Sequence, residues 1–399
     1  MTRETRLLLL AYLAFISLGL PDATLGIAWP SLQQVFQLPP SAIGLVLGMA
    51  VSGYFLSGLL AGRWMQRAGV GSLLAGSSAL VALGLTGYAL APAWGLFFPV
   101  AFLVGLGSGA IDAALNAYAA RHFSVRHVNW LHACWGVGAS TGPAIMTSAI
   151  ALGGSYRAGY GVIAAALAVM ALAFVATRRA WDRDSSPSPA SPSSASLVAG
   201  SAREALGSGR VWLLMGSFFL YSGLETSVGQ WCFTWLTEAR GLSVEGAGAW
   251  TSAYWGSLTL GRVLLGSIAE RFGSDRLLRL ASLGALAGVT LFALSPGVSG
   301  RLGLSLLGMS LAPMYPTLMA RTPARVGPAL SGHTVGFLVS SATLGSALMP
   351  ALVGVLVGRA GLASIGAMAL ALGAAFLCVH ELILRYASSP APPPDTAGT

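Results

Sequence analysis

The sequence predicts an all-α membrane protein of twelve transmembrane helices, arranged as two pseudo-symmetric six-helix bundles. Three observations carry that expectation: composition, the spacing of apolar runs, and the placement of arginine. Hydrophobic residues fill 55% of the 399 positions and charged residues only 9%, whereas a soluble globular domain carries roughly 25% charge. Apolar runs near 20 residues, the length of a membrane-crossing helix, fall at about 7–30, 41–62, 71–91, 95–120, 128–152 and 157–178. Six more fall at about 211–236, 246–268, 277–295, 301–320, 329–357 and 361–384.

The two sets of six are separated by a segment containing the string SSPSPASPSSAS at 185–196, which has too little apolar content to fold alone. The expected organisation is an N-terminal bundle over 1–180, a cytoplasmic linker over 181–209, a C-terminal bundle over 210–386 and a disordered cytoplasmic tail over 387–399. The first run, from Leu7, follows Arg3 and Arg6 as a signal peptide would. It continues without a small-residue cleavage site, so it reads as a first span.

All 22 basic residues are arginine. Basic loops stay on the cytoplasmic side of a membrane. With the N-terminus inside, seventeen arginines fall in inner loops and tails, and four, Arg157, Arg240, Arg301 and Arg359, fall outside. Arg262 alone is left within a span. Inserting or deleting a span would scramble this alternation, so both termini are expected in the cytoplasm, with the protein in a bacterial inner membrane. The net charge of +9 does not point to nucleic acid, because the arginines are scattered rather than clustered on one face. Cys134, Cys232 and Cys378 lie in apolar runs with no metal-ligand or disulfide spacing, and they read as packing residues. No metal or cofactor is expected.

Internal parallels support two related halves. Gly19, Leu20, Asp22 and Gly26 parallel Gly223, Leu224, Glu225 and Gly229. GLLAGR at 58–63 parallels GSIAER at 266–271, and both are expected in the loop after the second span of a half. AYAAR ending at Arg121 parallels TLMAR ending at Arg321.

Three acids fall inside spans: Asp22, Asp112 and Glu225. A central Asp costs about 2.5 to 3.5 kcal/mol on insertion scales, so each needs either a structural partner or a function. Ser108, Asp112 and Asn116 recur every four residues and share one helix face, beside Gly105, Gly109 and Ala113, which allow close approach of a neighbouring helix. His132 enters the fifth span at a depth similar to Asn116, either as a packing residue or as part of a proton relay with Asp112. In the seventh span Ser222, Glu225, Thr226 and Gln230 lie on one broad face. Trp231 follows as a ring that could stack on a sugar, and Trp235 as a candidate interfacial residue. Pro313 and Pro316 remove helix donors, and such breaks are tolerated only where protein or water satisfies the freed carbonyls. A cavity is therefore expected near Tyr315 and Thr317.

In these segments the chain resembles a major facilitator superfamily transporter, and within it the fucose:proton symporter branch with the bacterial glucose/galactose carriers. The segments are WPSLQQVF at 29–36, GLGSGAIDAALN at 105–116, FLYSGLE at 219–225 and YPT at 315–317. The resemblance implies six plus six helices around a midplane cavity. It implies an acid and an asparagine at Asp112 and Asn116, and a second acid at Glu225. Asp22 aligns less well, since matching on Pro30 puts Gly26 where that branch has its first-helix acid. The superfamily's loop string is kept as Ala269, Glu270, Arg271 and Gly273, and in the first half Gly62 stands in place of the acid beside Arg63.

The expected function is proton-coupled symport of a sugar or related polar solute by a monomer in the lipid bilayer. Asp112, Glu225 and Asp22 would handle protons. Asn116, His132, Gln230, Trp231, Tyr315 and Thr317 would touch the solute, and Arg63, Glu270 and Arg271 would form conformational loops. Gly138, Gly142 and Pro143 make a GxxxGP string shared with proton:drug antiporters, so efflux is the alternative. An enzyme is not expected, because no HExxH, nucleophile elbow or clustered Ser/His/Asp set is present. With no lysine after a glycine-rich loop, ATP is not the expected energy source.

Overall fold

In a computed structural model, which describes residues 2–182, 201–266 and 273–388, the chain folds into helices that run back and forth twelve times. The first span is Arg3–Phe36, broken at residues 20–23 where Pro21 and Asp22 interrupt the ladder between Arg3–Gly19 and Thr24–Phe36. Spans two to six are Ile43–Ala68, Val70–Leu90, Phe97–His122, Val125–Ala151 and Tyr156–Asp182. Spans seven to nine are Gly209–Thr234, Val244–Gly266 and Ser274–Leu294. The tenth, Gly297–Val326, is broken between Leu311 and Met314 at Ala312 and Pro313, as the prolines imply. Pro328–Ala360 and Ala363–Ser388 complete the set.

Nine of the described segments are long and apolar enough to cross a bilayer. The three outside that group are the fifth, seventh and eighth spans, which carry His132, Glu225, Gln230 and Arg262. Their polarity is tolerated because these helices turn toward one another across the centre, away from lipid.

Two of the expected placements change. The string 58–63 is not a loop: the second span stays helical to Ala68, and the chain turns at Gly69 with φ of 80°. The equivalent turn in the second half is Gly273, φ 79°. Only glycine adopts this left-handed conformation without strain, so the two glycines fix the register. GRWMQRAG at 62–69 then matches GSIAERFG at 266–273, and Gln66 and Arg67, not Gly62 and Arg63, stand opposite Glu270 and Arg271. Arg63 is a helical residue and Glu270 and Arg271 lie outside the described residues. Instead of a loop acid, Asp182 at the end of the sixth span accepts from the Gly71 N–H at 3.2 Å. In the second half Asp275 binds Arg321 and Arg325 at 3.1 and 2.9 Å.

The second change is that the segment expected to be all linker contains a short helix, Ala202–Gly207. It opens with a capping box in which Ser201 and Glu204 satisfy each other's backbone N–H. Residues 183–200 of that segment lie outside the described residues, as do 389–399 of the tail.

Within each half, glycines set the helix spacing. Gly138 and Gly142 of the fifth span lie against the carbonyls of Ile16 and Leu20, and Gly19 lies against that of Trp135, leaving no room for a methyl group. The GxxxGP string is thus the seam that holds the first span at its break. The seventh and eleventh spans repeat the seam, with Gly345 on Phe219 and Gly223 on Met349. Gly109 packs on Tyr54 and Ser57, and Gly308 packs in the same way on Tyr254 and Ser257. Both serines donate to the carbonyl of their own tyrosine, at 2.9 and 2.7 Å.

Between halves, the tight contacts run from the ends remote from the termini to mid-depth, where a Cβ on Gly136 would meet Thr259. A Cβ on Gly26 would collide with the backbone of Gln230, one on Gly44 with Ala351, and one on Gly354 with Pro40. Toward the terminus-bearing end of the same second and eleventh spans, Gly58, Gly62, Gly332 and Gly336 have no described neighbour within 4 Å of a built Cβ. The bundle is closed at one face and open at the other. A Gly26→Ala substitution is therefore expected to disfavour this closed face. In a background lacking the native cysteines, cross-linking of a Pro40→Cys/Gly358→Cys pair, where a Cβ at 358 fits at 3.8 Å from the Pro40 ring, should fall at least threefold. An unchanged yield would show that the first and seventh spans are not needed for closure.

Candidate functional site

The break in the first span places Asp22 on the inside of the bundle, deep in the protein yet exposed to solvent. Trp135 of the fifth span donates its indole N–H to the Asp22 carboxylate at 2.8 Å. The contact depends on the Gly19, Gly138 and Gly142 seam, which brings these two helices to backbone contact. Gly26, one turn later, is pressed on the Gln230 backbone and could hold no side chain there. An acid at the position the family alignment favours would not fit, and Asp22 provides the accessible first-helix carboxylate.

Asp112 is held at both oxygens. Tyr54 donates to Oδ2 at 2.6 Å and Asn116 donates to Oδ1 at 2.8 Å, with a second Asn116 bond to the Asp112 carbonyl at 3.0 Å. The i, i+4 spacing supplies the asparagine contact, and the small strip of Gly105 and Gly109 admits the second span, which supplies the tyrosine. Charge-assisted bonds of this kind are shorter and stronger than neutral ones. Asp112 is half-buried and Tyr54 is 39% exposed, so the group opens on the cleft. Asp22 and Asp112 are near enough to feel one another's charge. His132 is exposed on the same cleft, edge-on to Phe15, and senses both Asp112 and Arg262.

The second half contributes a different group. Glu225 accepts from the hydroxyl of Tyr221 one turn earlier, and lies 3.9 Å from the guanidinium of Arg262. Tyr254 fixes the helix by donating to the Glu225 carbonyl at 2.9 Å. Arg262 stacks over the Trp135 ring at 5.1 Å, a cation–π contact that reaches across the interface. A continuous chain of contacts therefore runs Glu225, Arg262, Trp135, Asp22, from the second half to the first. Tyr315 packs against Phe218 and Tyr221, in electrostatic reach of Asp112, Glu225 and Arg262.

The structure thus brings together Asp22, Asp112, Asn116, His132, Glu225 and Tyr315. It does not bring the others to the accessible surface. Gln230 is 3% exposed and bridges the halves by donating to the Asp22 carbonyl at 3.0 Å. Trp231 is fully buried, with its indole N–H on the Pro350 carbonyl at 3.0 Å, so its ring is part of the wall's packing and is not presented to the cleft for stacking. Thr317 is 8% exposed and lies in the packed part of the tenth span. Four residues of the site were not singled out by sequence: Tyr54, Trp135 and Arg262 on the cleft, and Tyr221, buried behind Glu225. Arg262 alone carried a signal, as the one arginine left inside a span. The other three are aromatic residues in apolar helices, indistinguishable in sequence from packing.

The major facilitator superfamily model matches residues 11–350. A glucose/mannose transporter of Bacillus subtilis, GlcP, is 19% identical over 355 residues, covering 87% of this chain and 86% of that protein. A human sodium-dependent glucose transporter is 27% identical over 150 residues, 37% of this chain and 28% of that protein. Among solved structures, the nucleoside transporter NupG superposes with a TM-score of 0.79 at 15% identity, covering 96% of this chain and 100% of that one. The Escherichia coli fucose:proton symporter FucP superposes with a TM-score of 0.60 at 18% identity, covering 96% and 99%. With twelve spans in two related bundles and a family match over most of its length, the chain is a transporter, not an enzyme, and belongs to the major facilitator superfamily.

Proposed function

We propose that this transporter carries a sugar or related small polar solute together with protons, by alternating access. The observation that carries the reading is the pairing of two unlike polar groups on one accessible cleft. Asp112, with Tyr54 and Asn116, stands on the first half, and Glu225, with Tyr221 and Arg262, on the second. A solute bound between them would touch both halves, which is what ties its occupancy to their rocking. Hydroxyl-rich solutes need a mixture of donors and acceptors with aromatic faces, and the cleft offers Asn116, His132, Tyr54, Tyr315 and Trp135. The named activities of the relatives, glucose, mannose, fucose and nucleoside transport, share that solute chemistry and support the reading. With the arginine-rich loops in the cytoplasm, the open face is cytoplasmic.

The drug-antiport alternative drew on Gly138, Gly142 and Pro143. Their packing against the first span accounts for the string without efflux.

The test is uptake of labelled aldoses, polyols and nucleosides into proteoliposomes, with either a proton or a sodium gradient imposed. Accumulation of a sugar or polyol driven by protons alone is the expected result. Accumulation driven only by sodium would overturn the coupling ion, and export of hydrophobic cations without sugar counterflow would overturn the solute class.

A further inference from the structure

A groove of about 500 Å³ lies on the outer surface of the first half, between the start of the first span and the end of the sixth. Its walls change character along the membrane normal. Arg3, Arg6 and Arg179 line one end, and Leu9, Leu10 and Leu13 continue from it. At 1.5 Å per residue, Arg6 and Leu13 are about 10 Å apart along the helix axis, about the step from headgroup level into acyl chain. Leu9 and Leu13 are 44% and 51% exposed, so the apolar wall is open to a ligand arriving from the bilayer.

Among the described residues no carboxylate lines the groove. The nearest acid along the sixth span, Asp182, is turned to the third span, where it accepts from the Gly71 N–H. The Thr177 hydroxyl is occupied on the Ala173 carbonyl at 2.7 Å. Arg3 reaches the Ala180 carbonyl, which ties the two helices together at the groove's floor. Arg6 and Arg179 are exposed, and no described carboxylate pairs with either of them. Three guanidinium groups at headgroup depth above an apolar channel are complementary to a phosphate diester carrying two acyl chains.

We propose that this groove is a binding site for an anionic glycerophospholipid, with the headgroup phosphate on Arg3, Arg6 and Arg179 and an acyl chain along Leu9, Leu10 and Leu13. The site is independent of the transported solute. A bound lipid would clamp the first span to the sixth at the open face, below the break that carries Asp22.

Native mass spectrometry of the detergent-purified full chain, titrated with phosphatidylglycerol and with phosphatidylcholine of the same acyl chains, tests it. The first phosphatidylglycerol should bind at least tenfold tighter than phosphatidylcholine. An Arg3→Ala/Arg6→Ala/Arg179→Ala variant should lose the preference, and Arg67→Ala, on another part of the same face, should keep it. A Leu9→Trp/Leu13→Trp variant, which fills the channel and leaves every charge, should also lose the tight lipid. This variant decides the matter if the triple arginine variant fails to fold. Equal affinities for the two lipids, retention of the preference in the leucine variant, or full competition by millimolar glycerophosphoglycerol without acyl chains would overturn the proposal.

Discussion

An Asp112→Asn carrier is expected to lose gradient-driven accumulation while retaining exchange. In proton symport each pH unit of gradient is worth about 1.4 kcal/mol, hence about tenfold accumulation per proton carried. A carrier whose coupling acid is permanently neutral should bring solute only to equal concentrations, an inside-to-outside ratio near one. Counterflow needs no proton turnover and should stay within about threefold of the parent. The geometry makes asparagine a mild replacement. Its carbonyl can still accept from Asn116, and the Tyr54 hydroxyl, which can accept as well as donate, can turn to take the new NH₂. The purely structural alternative, in which Asp112 only ties the second span to the fourth, gives the opposite pattern of a lower melting temperature with accumulation intact. Asp22→Asn in the same assay shows whether the first-helix acid shares the proton, and accumulation retained by Asp112→Asn would sink the assignment.

The parts of this molecule that were legible in the sequence are those set by solvent and backbone. Lipid demands an apolar run for each span that faces it, so nine of the twelve are plain by apolarity, and Pro21 and Pro313 mark two real breaks. The Ser108, Asp112 and Asn116 face follows from helical period alone, and the glycine strip beside it does admit a neighbouring helix. What could not be read is what depends on which helix that neighbour is. Tyr54 reaches Asp112 across 58 positions and Trp135 reaches Asp22 across 113. Neither tyrosine nor tryptophan is unusual in a membrane helix. Trp231 shows the converse. It sits six residues after Glu225, and at about 100° per residue its ring lies about 120° round the helix from that acid, enough to put it in the wall and not on the cleft. The loop string at 58–63 misled for a related reason, since sequence similarity alone could not show that the helix continued to Ala68 and turned at Gly69.

Neutralising Arg262 alone should damage the protein more than neutralising it together with Glu225. The two groups lie 3.9 Å apart, with 24% and 13% of their side chains exposed, in a region where a lone charge is expensive. In Arg262→Met the Glu225 carboxylate keeps the Tyr221 hydroxyl, and in Glu225→Gln the guanidinium keeps the Trp135 ring and the Tyr221 hydroxyl but no charge partner. Breaking a dry buried pair costs about 3 to 5 kcal/mol. The open cleft admits water, so about 2 kcal/mol is expected here for either single change. The double variant removes both charges and should lose only about 1 kcal/mol, giving a coupling energy of about 3 kcal/mol in a thermal-unfolding cycle. Transport should not recover with it. Arg262 is the link by which the acid on the second half reaches Trp135 and Asp22 on the first, and restored stability does not restore that link. A further comparison separates the link from the charge pair: Trp135→Phe keeps a ring under Arg262 but removes the donor to Asp22, while Trp135→Leu removes both. If the stack across the interface carries the coupling, the leucine variant should transport about fivefold more slowly than the phenylalanine one. Equal rates, or a double charge variant that transports as well as the parent, would reduce Arg262 to a residue that merely neutralises Glu225.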